Sequence, residues 1–371
     1  MNNKELFYFV GKCLMLDEDP GLRKEIFQKI EADEIDWVGF TKICDIHLIL
    51  PVIYLKFKSQ GLMSYLPEGL VLELSRVYKA NVLRNSEILK QITEITRVLN
   101  ENEIFPLFLK GAGNLLDGVY GDLGERILGD IDFLVPEKDW LKSVKVLEKD
   151  GYYTRTLYPE SYDFIGAKHY PPLVKEGAAA YLEIHRSLTN GSKKRFNNAL
   201  IEQAKTPVSN LNGCFVLSDE HKVMYNFIHG QLQHQGHVTG NVSLRNVYDL
   251  LCLSKRVNIQ HTVDQICNKQ KAICYFKFAG NVLGNSDLFY YRTNIFAWIF
   301  TKRHDLDLKS KTFYYFNQAV VFIVYRVIIV YTDLFIKSFY SKEIRHFLMH
   351  NFSDPGWYRR LYKEFMAFYR I

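Results

Sequence analysis

The sequence predicts an α+β protein, in which a small α/β core with a mixed sheet lies between all-helical N- and C-terminal regions. Three observations predict it. Apolar residues recur at helical spacing through residues 1–100; from Ile104 the pattern changes to short apolar runs punctuated by Gly and Pro; and helical spacing resumes at Ser218. The expected divisions are therefore 1–100, 101–210 and 211–371. A chain of 371 residues has ample length for two or three packed units.

In the first region, Lys4 to Leu16, Leu22 to Ala32 and Pro67 to Asn100 read as amphipathic helices. The apolar stretch Trp37 to Phe57 holds Cys44, His47 and Pro51. A lone histidine on such a face is expected to be a satisfied structural residue. In the core, Ile104 to Leu109 reads as a buried strand that turns at Lys110-Gly111-Ala112-Gly113 into a helix. Ile131 to Val135 reads as a second strand, stopped by Pro136. Asp139 to Lys149 reads as a helix closed by Asp150-Gly151, and Ala180 to Ile184 as a third strand after the loop His169-Tyr170-Pro171-Pro172. Beyond it, Ser218 suits an N-cap and Asp219 and Glu220 suit the first turn of a helix. Arg245 and Asp249, four residues apart, are expected to pair along one helix. The apolar run Ala319 to Tyr331 carries Arg326 and is shorter than the ~20 residues of a spanning helix. It is expected to be a buried helix, with contact at a membrane surface as the alternative and no stable membrane insertion.

Composition narrows the class. Hydrophobic residues make up 48% and charged residues 24%, ordinary globular values that exclude a disordered or fibrous chain. The net charge of +6 is too mild and too dispersed to predict nucleic-acid binding, although a nucleic acid stays open as an acceptor. The 26 Phe and 24 Tyr fall at helical spacing and read as packing. Six cysteines without a CxxC pair suit a reducing compartment, and the N-terminus lacks a signal-peptide pattern, so a cytoplasmic location is expected.

The chemistry concentrates in Gly129-Asp130-Ile131-Asp132-Phe133-Leu134-Val135. On a strand, Asp130 and Asp132 project from one face while Ile131 and Phe133 enter the core. Two adjacent carboxylates repel unless a cation joins them, and Mg²⁺ suits a site of few carboxylates completed by substrate phosphates. The competing reading is a strand end with two solvated acids. Upstream, Lys110, Gly111, Ala112 and Gly113 form a turn whose small residues permit close approach of backbone to a phosphate, with Lys110 adding charge. A third carboxylate, Glu183, is flanked by apolar residues in Tyr181-Leu182-Glu183-Ile184-His185, where an acid must be paired, protonated or metal-bound. His229, His234 and His237 match no zinc-site spacing and read as polar packing or substrate contact.

These segments resemble the polymerase-β-type nucleotidyltransferase superfamily over roughly 105–190, through Leu109-Lys110-Gly111-Ala112-Gly113, Tyr120, Arg126 and Asp130-Ile131-Asp132-Phe133-Leu134-Val135. Specifically, the chain is similar to the bacterial family called uncharacterised nucleotidyltransferases, with Glu183-Ile184-His185 and His169-Tyr170-Pro171-Pro172 matching two further segments. It departs from the superfamily at Gly111-Ala112, where Gly-Ser is usual, and in a longer gap to Asp130. The resemblance implies a small nucleotidyltransferase-type core that moves a nucleoside monophosphate from an NTP, such as ATP, to an acceptor hydroxyl with release of pyrophosphate. It implies Mg²⁺ or Mn²⁺ held by the catalytic trio Asp130, Asp132 and Glu183, with Lys110, Gly111, Ala112, Gly113 and Arg126 binding the nucleotide. For Arg126 the alternative is a salt bridge to an acid. His169, His185 and His229 are the candidates for substrate contact. The acceptor could be a small molecule, sugar, peptide, protein or RNA. The rival classes are a catalytically inactive nucleotide-binding or regulatory module of the same fold and a nucleic-acid-binding protein.

Overall fold

Segments too short for helices, apolar in β1, β4 and β7 and alternating in β2 and β5, become the strands of one seven-stranded mixed sheet: β1 (Leu107–Phe108), β2 (Asp130–Leu134), β3 (Tyr153–Thr154), β4 (Leu173–Val174), β5 (Tyr181–His185), β6 (Lys205–Pro207) and β7 (Phe215–Leu217). Their order is β3-β4-β5-β2-β1-β7-β6. The β2–β5 and β1–β7 pairs are parallel and the others antiparallel. The computed structural model describes residues 1–155, 168–188 and 204–368. The parts 156–167 and 189–203 of the expected core lie outside the described residues.

The central strands follow the expected alternation. Ile131 and Phe133 of β2 and Leu182 and Ile184 of β5 are wholly buried on one face, each contributing roughly 1.5–3 kcal/mol by leaving water. Helix Trp140–Lys149 packs near this pair, and the Trp140 indole N–H donates to the Ile184 carbonyl at 2.9 Å. The opposite face carries the polar side chains, floored by a small apolar cluster that includes Leu107, Leu109, Leu134, Leu217 and Tyr225.

Helices flank the sheet in sequence on both sides. In helix Glu68–Asn100, Leu70, Leu74, Ile88, Ile92, Ile95 and Leu99 keep helical spacing and are buried. The Trp37 to Phe57 stretch divides into helices Trp37–Ile46 and Leu50–Ser59, because Leu48 takes φ +54° and Pro51 starts the second helix. His47 lies between them, and its Nδ1 accepts a hydrogen bond from the Leu244 N–H at 3.3 Å. Five of the six cysteines are buried, and Cys267 is exposed.

The run expected as a buried helix at Ala319 to Tyr331 is corrected. It is helical, with a π-helical stretch at Phe322–Ile329, but Val320, Ile323, Val324 and Ile328 are exposed. The last helices pack chiefly against one another, and this leaves much of their apolar surface uncovered. No helix among the described residues is long and apolar enough to cross a membrane.

Candidate active site

The parallel register of β2 and β5 sets Asp130 beside Tyr181, Asp132 beside Glu183 and Leu134 beside His185. Side chains two apart share a face, so Asp130, Asp132, Glu183 and His185 all rise from the same side of the sheet. The Leu109 N–H donates to the Asp132 carbonyl at 2.9 Å, which brings the turn after β1 to this pair. Lys110 follows with φ +52°, a conformation that costs a non-glycine residue stability and is held here by its surroundings.

That turn delivers the Lys110 ammonium to 2.6 Å from Asp132 Oδ1 and 4.0 Å from Glu183 Oε2. The His185 Nε2 stands 2.8 Å from Asp132 Oδ1 and 3.7 Å from Glu183 Oε2. Among the described residues, Asp132, Glu183 and His185 form the group whose potential ligand atoms all lie within 4.8 Å of one another. Asp130 stands one strand step away and lines the adjoining cleft. The tightest cluster therefore takes in His185, expected to touch substrate, in place of Asp130.

Burial works to raise the Asp132 carboxyl, but the His185 hydrogen bond and the Lys110 ammonium overcome it and hold the group well below the usual carboxylate range. At Asp130 burial, reinforced by the charge of Asp132, pushes the carboxyl up to about 6. The charges of Lys110 and Arg245 also pull downward there but do not prevail. The neighbouring Tyr181 hydroxyl is pushed up to about 12, first by burial and then by Asp130, Glu183 and Asp132.

The glycines of the turn answer to packing. A Cβ on Gly113 would come within 2.6 Å of the Phe108 carbonyl oxygen, and one on Gly111 within 2.5 Å of the Leu128 side chain. Helix Lys110–Leu116 can thus lie close against β1 and the loop before β2.

Arg126 is buried and grips Asp249 with two bonds, Nε to Oδ1 at 2.8 Å and Nη2 to Oδ2 at 3.0 Å. Tyr120 donates to the same Oδ1 at 2.8 Å. The expected Arg245–Asp249 pair does not form, because the planar Arg126 fork and Tyr120 take up the Asp249 carboxylate. Arg245 instead lines the cleft with Lys110, Asp130, Arg126 and His229, and its Nε is buried without a hydrogen-bond partner. Burial, then repulsion from Arg126, brings its guanidinium down to about 10.

The other histidines are distributed around this centre. His169 bridges to His185 at the edge of β5, with ring centroids 5.2 Å apart. His229 lies in the cleft wall with its Nε2 3.0 Å from His234 Nε2, while His237 bonds to the Gln231 carbonyl. His229 and His234 therefore meet and His237 does not join them.

The long N-terminal helix supports the site in a way its helical pattern did not announce. Asn81 donates to the Gly124 carbonyl at 2.7 Å, and Asn85 to the carbonyls of Leu123 and Arg126 at 2.7 and 2.9 Å. Arg84 reaches the Leu128 carbonyl and, at 3.2 Å, that of Ala179. One helix face thus clamps the loop leading into Asp130 and the residues leading into β5. Gly124 fits because a Cβ there would meet Val82 and Tyr78 at 2.5 and 2.7 Å. Polar residues at 81, 84 and 85 on a helix whose buried positions are mostly apolar were the sequence signal.

Asp132 and Glu183 lie side by side with a single ammonium reaching both, a charge arrangement that a divalent cation also satisfies. The donor set fits Mg²⁺ or Mn²⁺ through its carboxylates, and an imidazole ligand would favour Mn²⁺. A carboxylate cluster on adjacent strands beside a cleft lined by arginine and lysine is the class of arrangement used in metal-assisted transfer of phosphorus groups. Residues 33–285 match the family described as uncharacterised nucleotidyltransferase, and the chain belongs to that family. The match begins before the clamping helix, spans the sheet and ends before helix Ile295–Lys309. No curated protein and no solved structure matches the chain.

Proposed function

We propose that the chain transfers a nucleoside monophosphate from an NTP to an acceptor hydroxyl. The acceptor oxygen bonds to the α-phosphorus, the bond to the bridging oxygen breaks, and pyrophosphate leaves. The observation that carries this is the in-register Asp132 and Glu183 pair with Lys110 reaching both, in a chain of a nucleotidyltransferase family. Asp130 and Asp132 would hold the Mg²⁺ or Mn²⁺ of the bound NTP, which supplies charge neutralisation at the phosphates, and with Glu183 they would hold a second ion that lowers the pKa of the acceptor hydroxyl. Glu183, the more exposed member of the Asp132–Glu183 pair, takes the hydroxyl proton. His185 orients Asp132 through its hydrogen bond. Lys110 leaves its carboxylates to meet the phosphates, and Arg245 offers the same groups a guanidinium with no ion pair of its own. Arg126, bound up with Asp249, shapes the cleft wall, while His169 and His229 lie where an acceptor would touch them.

The test is incubation of the full chain with each α-labelled NTP, Mg²⁺ or Mn²⁺ and a pool of metabolites, RNA and proteins. Label should move to one acceptor class, with one pyrophosphate released per label transferred. Binding of NTP without label transfer to any pool would instead favour a nucleotide-binding module that has kept the fold.

A further inference from the structure

The helices beyond the family match carry a surface that the site does not use. Residues 286–371 contain 13 Lys and Arg against seven Asp and Glu, a surplus equal to the +6 of the whole chain, so residues 1–285 are neutral. The positive charge is not dispersed, contrary to the expectation from overall composition. The same helices expose Phe296, Trp298, Ile299, Phe335, Phe339 and Tyr340, each about half exposed or more. Such a concentration of large apolar side chains on an open surface marks a contact region.

We propose that the helices from Ile295 onward dock on the surface of an anionic lipid bilayer, without crossing it. Charge complementarity selects this partner. A second copy would bring two surfaces of like charge together, and the buried centre of a protein interface is depleted of lysine. Here the exposed cations are interspersed with the apolar groups. The Lys302 ammonium lies over the Trp298 ring at 5.9 Å from its centroid, and Lys337, Lys342 and Arg345 accompany Phe335, Phe339 and Tyr340 along the chain. Aromatic rings with lysine and arginine beside them suit the headgroup layer, where the rings enter the acyl boundary and the cations meet lipid phosphates. No helix among the described residues is long and apolar enough to cross a membrane, and the binding proposed is peripheral and governed by charge.

Flotation of the full chain with vesicles tests this independently of any transferase activity. Vesicles of phosphatidylcholine with about a third phosphatidylglycerol should carry the protein upward, and pure phosphatidylcholine vesicles should not. Binding should fall steeply between low and high salt. Removing three charges in the combined Lys302→Gln, Lys342→Gln, Arg345→Gln variant should weaken binding by about a hundredfold at unchanged melting temperature. A Trp298→Ser, Phe339→Ser variant should weaken it as well, which charge attraction alone does not predict. Equal recovery with neutral and anionic vesicles, or no flotation with either, overturns the proposal. So does a dimer in light scattering that persists at high salt and is abolished by Trp298→Ser, Phe339→Ser, which would assign the face to a second copy.

Discussion

Two arginines that look alike in the sequence differ in what surrounds them, and their variants should separate. Arg126→Ala strands the Asp249 carboxylate in the interior, so it should cost about 3–5 kcal/mol of stability, read as a lowered melting temperature. Arg245→Ala removes a largely buried charge with no ion pair and should leave melting unchanged or raise it, while weakening NTP affinity in calorimetry. The reverse pattern would return the phosphate role to Arg126. Lys110→Ala should reduce turnover by less than loss of a carboxylate, because the metal still neutralises the phosphates. Asp130, Asp132 and Glu183 could be picked out in advance because strand alternation is a local rule. The Arg126–Asp249 pair could not, since its partners are 123 residues apart and nothing in local spacing links them.

At the scale of elements, the helix Glu68–Asn100 has a polar duty concealed by its apolar period. Asn85→Ala leaves the Leu123 and Arg126 carbonyls without their donor and should cost about 1–3 kcal/mol. Because those carbonyls belong to the loop before Asp130, hydrogen exchange should rise in residues 121–129 first. Uniform loosening across the molecule would show that the clamp has no local effect. The same scale explains what the sequence left hidden. β2, β5 and the long helices are long enough for their periods to register, whereas β3, β4, β6 and β7 have two or three residues each, too few to display alternation. Leu48, at φ +54°, divides an apolar stretch at a point that no glycine marks.

Across the whole molecule, helices distant in sequence meet around two histidines, the half-buried His47 and the buried His304. His47 and His304 both lie against the Phe7 ring, at centroid distances of 5.6 and 5.1 Å. Burial, helped by Arg245, takes His47 down to about 4; burial, together with His47 and Arg303 and opposed by Asp305, takes His304 down to about 3. Both are depressed below the unfolded value near 6.5, so the unfolded chain binds more protons in acid and stability is lost as pH falls from about 6.5 towards 4. At pH 5 each should cost on the order of 2 kcal/mol relative to pH 7.5. His304→Gln should flatten the dependence of melting temperature on pH, and an unchanged slope would place the acid sensitivity elsewhere. The claim on which the function rests is narrower, that Glu183 acts in the chemical step while Asp130 and Asp132 hold the metal-bound nucleotide. On one preparation of Glu183→Gln, NTP affinity, melting temperature and label transfer should be measured together. Affinity and melting should stay near those of the unaltered chain while transfer falls at least about a hundredfold. Transfer at the normal rate with a lowered melting temperature would make Glu183 a structural acid and contradict the site.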